Sequence, residues 1–155
     1  MNLFLKKMMA SVLVMTLAVT AVALPVAADW SKDSSGRWIY LTSGQTRATG
    51  WLKVGGTWYY FDGNGTMQTG WQKIGGTWYY FRDWGGMVTG WQKIDGTWYY
   101  FRDWGGMVTG WQKIDGVWYY FNGGGSMCKG WVQSGGKWYY LSGTGAMRTG
   151  WLLDR

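Results

Sequence analysis

Two hydrophobic patterns divide this chain. Residues 8–22 form a largely apolar run, preceded by Lys6 and Lys7 and followed by Val26, Ala27 and Ala28. A charged start, an apolar stretch and small residues before a cleavage point together predict a signal peptide over residues 1–28, with the mature chain starting at Asp29. The run falls short of the ~20 apolar residues that cross a bilayer as a helix. No later stretch approaches that length, so no transmembrane span is expected after signal removal.

From Asp29 onward the apolar positions are aromatic, closely spaced and periodic. Gly-Trp recurs at Gly50-Trp51, Gly70-Trp71, Gly90-Trp91, Gly110-Trp111, Gly130-Trp131 and Gly150-Trp151, a period of 20 residues. A Trp-Tyr-Tyr triplet follows at residues 58–60, 78–80, 98–100, 118–120 and 138–140, and Trp38-Ile39-Tyr40 is an earlier, partial copy. A fixed period of this size marks stacked supersecondary units. Residues 81–100 and 101–120 differ only at Thr97 against Val117, the mark of a duplicated unit.

In WLKVGGTWYYF (51–61), two β-prone runs flank Gly55-Gly56, the pattern of a hairpin closed by a two-residue turn with positive φ at both positions. Asp95-Gly96 and Asp115-Gly116 fill the same place in their units. That turn dictates the register: Val54 opposes Thr57, Lys53 opposes Trp58, Leu52 opposes Tyr59 and Trp51 opposes Tyr60. Because side chains alternate along a strand, Trp51, Trp58 and Tyr60 share one face, while Tyr59 and Phe61 point to the other. Trp30 and Trp38 lie one residue further apart than the later pairs; a three-residue turn at Ser34, Ser35 and Gly36, with the glycine left-handed, keeps both on one face.

Both faces are therefore aromatic, and a lone two-stranded hairpin is marginal in water. The prediction is an all-β fold, a solenoid of about six stacked β-hairpins over residues 29–155, in which each hairpin contacts mainly its neighbours.

Composition sharpens this picture. The chain holds 15 Trp, 11 Tyr and 27 Gly against one Pro, so rings supply the burial and glycine the turns. There is no His and no Glu, which removes Ser-His and Cys-His nucleophile pairs and histidine-bearing zinc sites; no catalytic residue, metal site or cofactor is expected. Two aspartates can hydrolyse a glycoside, but Asp95 and Asp115 are turn residues and Asp62, Asp83 and Asp103 sit in inter-hairpin loops, each with a sufficient structural role. With Cys128 as the lone cysteine, no intramolecular disulfide forms, and the thiol is read as incidental. The modest basic excess suits an anionic polymer but equally a solvated surface, so charge decides nothing. Nothing points to nucleic acid.

Trp51 and Trp58 cannot enclose a ligand with Tyr59, which lies on the opposite face of their own hairpin. The equivalent Tyr79 of the next hairpin can face back toward them, placing a ring-lined pocket between units. Three rings around a desolvated quaternary ammonium each offer roughly 0.5–2 kcal/mol, which amounts to weak, roughly millimolar binding.

The segment TGWQKIDGTWYYF (89–101) closely resembles the choline-binding repeats of Gram-positive surface proteins, and the resemblance extends over residues 29–155. In that family two tryptophans of one repeat and a tyrosine of the next surround choline. Carried onto this sequence, the resemblance implies five sites. They are Trp30, Trp38 and Tyr59; Trp51, Trp58 and Tyr79; Trp71, Trp78 and Tyr99; Trp91, Trp98 and Tyr119; and Trp111, Trp118 and Tyr139. It further implies an apolar fourth wall from Met67, Met87, Met107, Met127 and Met147, whereas the first unit has Arg47 at that place. Trp131 and Trp138 lack a following tyrosine and are not expected to form a full cage. Tyr60, Tyr80, Tyr100, Tyr120 and Tyr140 are assigned to packing. Trp84 and Trp104 replace Asn64, Gly124 and Thr144, and are read as shielding the stack, with a widened binding groove as the alternative.

The function so implied is non-enzymatic: a secreted, cell-surface protein held non-covalently on the cell wall by choline or phosphocholine groups of teichoic acids. The rival reading is a carbohydrate-binding module of the glucan-binding type, in which the Trp of the triplet is often another residue. A surface protein that competes with wall hydrolases for the same choline groups is a third. Residues 151–155 either cap the stack or pair with a second copy in a homodimer, and the sequence leaves both open.

Overall fold

The structure, a computed structural model, describes residues 28–150. Residues 1–27 of the expected signal peptide and residues 151–155 lie outside the described residues. Every described element is a strand, as the alternation requires: β1 (Asp29–Lys32), β2 (Trp38–Leu41), β3 (Gly50–Val54), β4 (Thr57–Phe61), β5 (Gly70–Ile74), β6 (Thr77–Phe81), β7 (Gly90–Ile94), β8 (Thr97–Phe101), β9 (Gly110–Ile114), β10 (Val117–Phe121), β11 (Gly130–Ser134) and β12 (Lys137–Leu141). Consecutive strands pair as six antiparallel hairpins, each a two-stranded sheet. No helix among the described residues is long and apolar enough to cross a membrane.

The register is the expected one. Trp51 pairs with Tyr60, Leu52 with Tyr59, Lys53 with Trp58 and Val54 with Thr57, and the same pairing recurs from β5 to β12. The turn chemistry explains it. Asp95 and Gly96 have φ of 48° and 80°, both left-handed, so the turn twists with its strands instead of splaying them. In the first hairpin Lys32 pairs with Trp38 and the Asp33 amide donates to the Arg37 carbonyl at 2.9 Å, closing a three-residue turn at 34–36 with Gly36 at φ 75°. There the Asp33 carboxylate accepts from the amides of Ser35 and Arg37 at 2.9 and 3.0 Å and pairs with the Arg37 guanidinium at 2.7 Å. That pairing holds the Asp33 carboxyl below its ordinary range.

After each hairpin the chain folds back on its second strand. Phe101 bridges to Met107 and Phe121 to Met127, and the Val108 amide donates to the Tyr100 carbonyl at 3.0 Å. The loop is pinned by its own first residue: the Asp62 carboxylate accepts from the amides of Asn64 and Thr66, both at 2.9 Å, and the Asn122 side chain repeats the arrangement. Asp62 thus has the structural role expected of it.

The described residues form two compact units, divided between Gln68 and Thr69. In the first, Tyr59, Phe61, Ala48 and Met67 form a core against which Trp30, Trp38 and Tyr40 of the preceding hairpin pack. In the second, Val88, Ile94 and Phe101 receive Trp71 and Tyr80, and Val108, Ile114 and Phe121 receive Trp91 and Tyr100. Within each unit the Tyr and Phe face of a hairpin is thereby buried on the tryptophan face of the hairpin before it. Phe61, Phe81, Phe101, Phe121 and Leu141 are fully buried. Replacing Phe101 by Ala should therefore destabilise the protein by about 3–5 kcal/mol, measured by urea unfolding; a loss under about 1 kcal/mol would show that this phenyl is not a core group.

Candidate functional site

Within one hairpin, Trp91 on β7 and Trp98 on β8 are diagonal neighbours on the same face. Their rings stand 6.1 Å apart and nearly perpendicular, at 87°. Tyr100, directly opposite Trp91, holds that indole edge-on at 5.3 Å, the packing role expected of it. Tyr119 arrives from the next hairpin, its ring 4.8 Å from Trp91 at 73°, while Phe121 lies behind the same indole at 5.7 Å. Two perpendicular indoles and a phenol from the neighbouring hairpin thus form three sides of a box.

Other units repeat the box. Trp71 stands 6.3 Å from Trp78 and 4.9 Å from Tyr99, and Trp111 is 6.3 Å from Trp118 and 4.8 Å from Tyr139. In the first unit, Trp30 lies 6.5 Å from Trp38 and 4.7 Å from Tyr59. Four of the five expected ring sets are therefore brought together. For the fifth, Trp51 and Trp58 form the same perpendicular pair at 6.3 Å in the first unit. Tyr79 belongs to the second unit, where Trp104 lies edge-on against it at 6.1 Å.

The methionines reach the boxes through backbone hydrogen bonds. The Met127 amide donates to the Trp98 carbonyl, Met107 to Trp78, Met147 to Trp118 and Met67 to Trp38, each at 2.8 Å. Met127 lines a cavity of about 520 Å³ with Trp91, Trp98, Tyr119, Lys129, Gly143 and Thr144. The thioethers also fill space between loops: a Cβ on Gly105 would fall 2.2 Å from the Met87 sulfur, so glycine is needed where this methionine packs. Arg47 takes over that packing role against Gly65.

Several contacts go beyond the pairing read from the sequence. Lys32 places its ammonium 4.8 Å from the Trp38 ring centroid, and Lys53 and Lys73 stand over Trp58 and Trp78 at 5.8 and 5.9 Å. Direct cross-strand pairing was the signal for these contacts. The Trp111 indole N–H donates to the Ser134 hydroxyl at 3.1 Å, at the end of β11 where β3, β5, β7 and β9 carry Val or Ile. Lys129, Gly143 and Thr144 come from loops, where no alternation pointed to them. Trp84 and Trp104 fold over their own loops, with Gly86 and Gly106 directly beneath their rings. Trp131 and Trp138 are 61% and 63% exposed against 41% for Trp118.

A family model described as choline-binding repeat matches residues 48–88, 68–109, 88–127 and 108–151 in succession. Among solved structures, the chain is similar to choline binding protein F from Streptococcus pneumoniae, with 46% identity over 79% of this chain and 42% of that one and a TM-score of 0.75. It is also similar to CbpJ from Streptococcus pneumoniae TIGR4, at 44% identity over 81% of this chain and 47% of that one, with a TM-score of 0.74. The multimodular pneumococcal cell wall endolysin from phage Cp-1, complexed with choline, shares 34% identity over 88% of this chain and 42% of its own, with a TM-score of 0.55. The chain spans less than half the length of these proteins. No curated protein matches it.

Burial raises the Tyr59 phenol above its ordinary value of 10.0, because the ring is only 6% exposed. The folded chain then keeps this proton where the unfolded chain loses it. Stability from Tyr59 is complete below pH 10 and declines as pH rises through the raised folded value. The melting temperature of the parent should fall more steeply above that pH than that of Tyr59→Phe, and identical slopes would show that the phenol is not desolvated.

Proposed function

The chain belongs to the choline-binding repeat family, and from that premise we propose that its ring-lined boxes bind choline and hold the protein on a cell wall. The ligand in this reading is the trimethylammonium group of phosphocholine-decorated teichoic acid. The supporting observation is the repeated geometry, in which Trp91 and Trp98 meet at 87° and Tyr119 closes a third side from the next hairpin. A trimethylammonium group has no N–H to donate and spreads its charge over methyl groups. It is therefore suited to the faces of several rings at once. A sugar ring favours one flat platform with polar groups at its rim, and perpendicular walls suit it less.

The first indole of the Trp30, Trp71 and Trp91 boxes packs against both tyrosine and phenylalanine of the next hairpin, so these walls are set before ligand arrives and little ordering cost remains. Met127, with its polarizable sulfur, completes the surround at the Trp91 box. The fifth set, Trp51, Trp58 and Tyr79, is assigned the same role by its place in the repeat. One box gathers a few kcal/mol, which leaves affinity near millimolar. A polymer carrying many choline groups engages several boxes together, and each later contact is intramolecular. Attachment is then non-covalent, reversible and competed by free choline. The role is binding, on a protein exported to the cell surface.

The protein should be retained on a resin bearing tertiary or quaternary amines, eluted by excess choline, and pass through a glucan resin. Retention indifferent to choline would sink the proposal. Trp91→Ala should remove one site in a calorimetric choline titration while the other sites still titrate; an unchanged site number would refute the assignment of this indole. Choline should also raise the melting temperature in a concentration-dependent way, since it binds only the stacked form.

A further inference from the structure

The cavity at Trp91 is larger and chemically more varied than a box for a methylated cation needs. Its volume of about 520 Å³ is in the range of pockets that enclose whole small molecules. Its walls divide into two parts. Trp91, Trp98, Tyr119 and Met127 supply the apolar, ring-faced side, and Lys129 with Gly143 and Thr144 supplies the other. Lys129 is distinctive: the equivalent loop positions hold Thr69, Thr89, Thr109 and Thr149. None of the cavity's lining residues is an Asp that would neutralise it. The Thr144 hydroxyl, 2.8 Å from the Ser142 hydroxyl, adds a second polar side chain at the same rim.

The Trp78 and Trp98 boxes each already have a lysine paired across the strands from that indole, Lys73 and Lys93; the further ammonium that Lys129 adds at the rim of the Trp91 box is unfavourable for a bare cation, because like charges repel. It becomes favourable when the ligand carries its own anion a short distance from the cation. In phosphocholine an ethylene bridge joins the quaternary nitrogen to the phosphate ester, so the phosphate emerges beside the box while the methyl groups stay inside. An ammonium with three N–H donors on a flexible stem suits phosphate oxygens as a mobile point charge.

Resting on the choline-binding reading, we propose that Lys129 makes the Trp91 site selective for phosphocholine over choline by pairing with the phosphate. The ring boxes are then not equivalent. The site of Trp71, Trp78 and Tyr99, with Thr109 in the corresponding loop, takes choline with or without its phosphate. The Trp91 site grips the phosphorylated group and discriminates against free choline.

The test is a pair of titrations, with phosphocholine and with choline, followed site by site at the indole N–H resonances of Trp98 and Trp78. These resonances are assigned by their loss in Trp98→Phe and Trp78→Phe. At Trp98, phosphocholine should bind the parent protein about fivefold more tightly than choline, the scale of an exposed ion pair, and the preference should shrink with added salt. In Lys129→Thr, which installs the residue of the sister loops, the ratio should fall to near one and choline binding should strengthen. Thr109→Lys should transfer the preference to Trp78. A ratio at Trp98 that is the same in the parent and Lys129→Thr would overturn the selectivity while leaving choline binding intact. If neither ligand moves any indole resonance, the choline reading fails and the selectivity fails with it.

Discussion

The fold depends on a ring of one hairpin being trapped by the next. Trp91 lies 4.8 Å from Tyr119 and 5.7 Å from Phe121, and Trp71 stands in the same relation to Tyr99 and Phe101. A two-stranded hairpin has no interior of its own, so these contacts create the core. The same indole is also one wall of a binding box. In the proposed reading packing and recognition therefore share a single side chain, and neither can be altered without the other feeling it. Preorganisation follows directly: the wall stands upright because the core holds it there.

Much of this was legible in the sequence because it follows from period-2 alternation. Asp95-Gly96 dictated the turn, the turn dictated that Lys93 faces Trp98, and alternation then separated Trp91 and Trp98 from Tyr99 and Phe101. The extra residue in the first hairpin was absorbed as expected, with Gly36 left-handed at φ 75°. The apposition of Trp91 and Tyr119 followed from two aromatic faces needing to stack.

The loops were far less legible. That the Met127 amide bonds the Trp98 carbonyl is a long-range pairing that no local spacing announces. The convergence of Lys129 and Thr144 on one cavity depends on how loops of successive hairpins lie side by side, a tertiary fact. Trp104 shows both halves of the lesson. Its ring covers Gly106 in its own loop, yet it also reaches Tyr79 on β6 of the preceding hairpin. The Ser134 hydroxyl bonding the Trp111 indole was equally hidden, because it replaces an apolar contact at a position the repeat assigns to Ile.

The cavity at Trp91 collects its walls from successive stretches of chain: indoles from β7 and β8, a phenol from β10, then Met127 and Lys129, and finally Gly143 and Thr144. This gives the array a polarity. A recognition compartment is begun by one segment and finished only when segments further toward the carboxyl end have folded against it. In a chain that emerges from its amino end, compartments of this kind mature in sequence rather than together, each waiting on its successors. Inserting one more copy of the repeat in the interior adds a whole compartment and leaves those at the margins as they were.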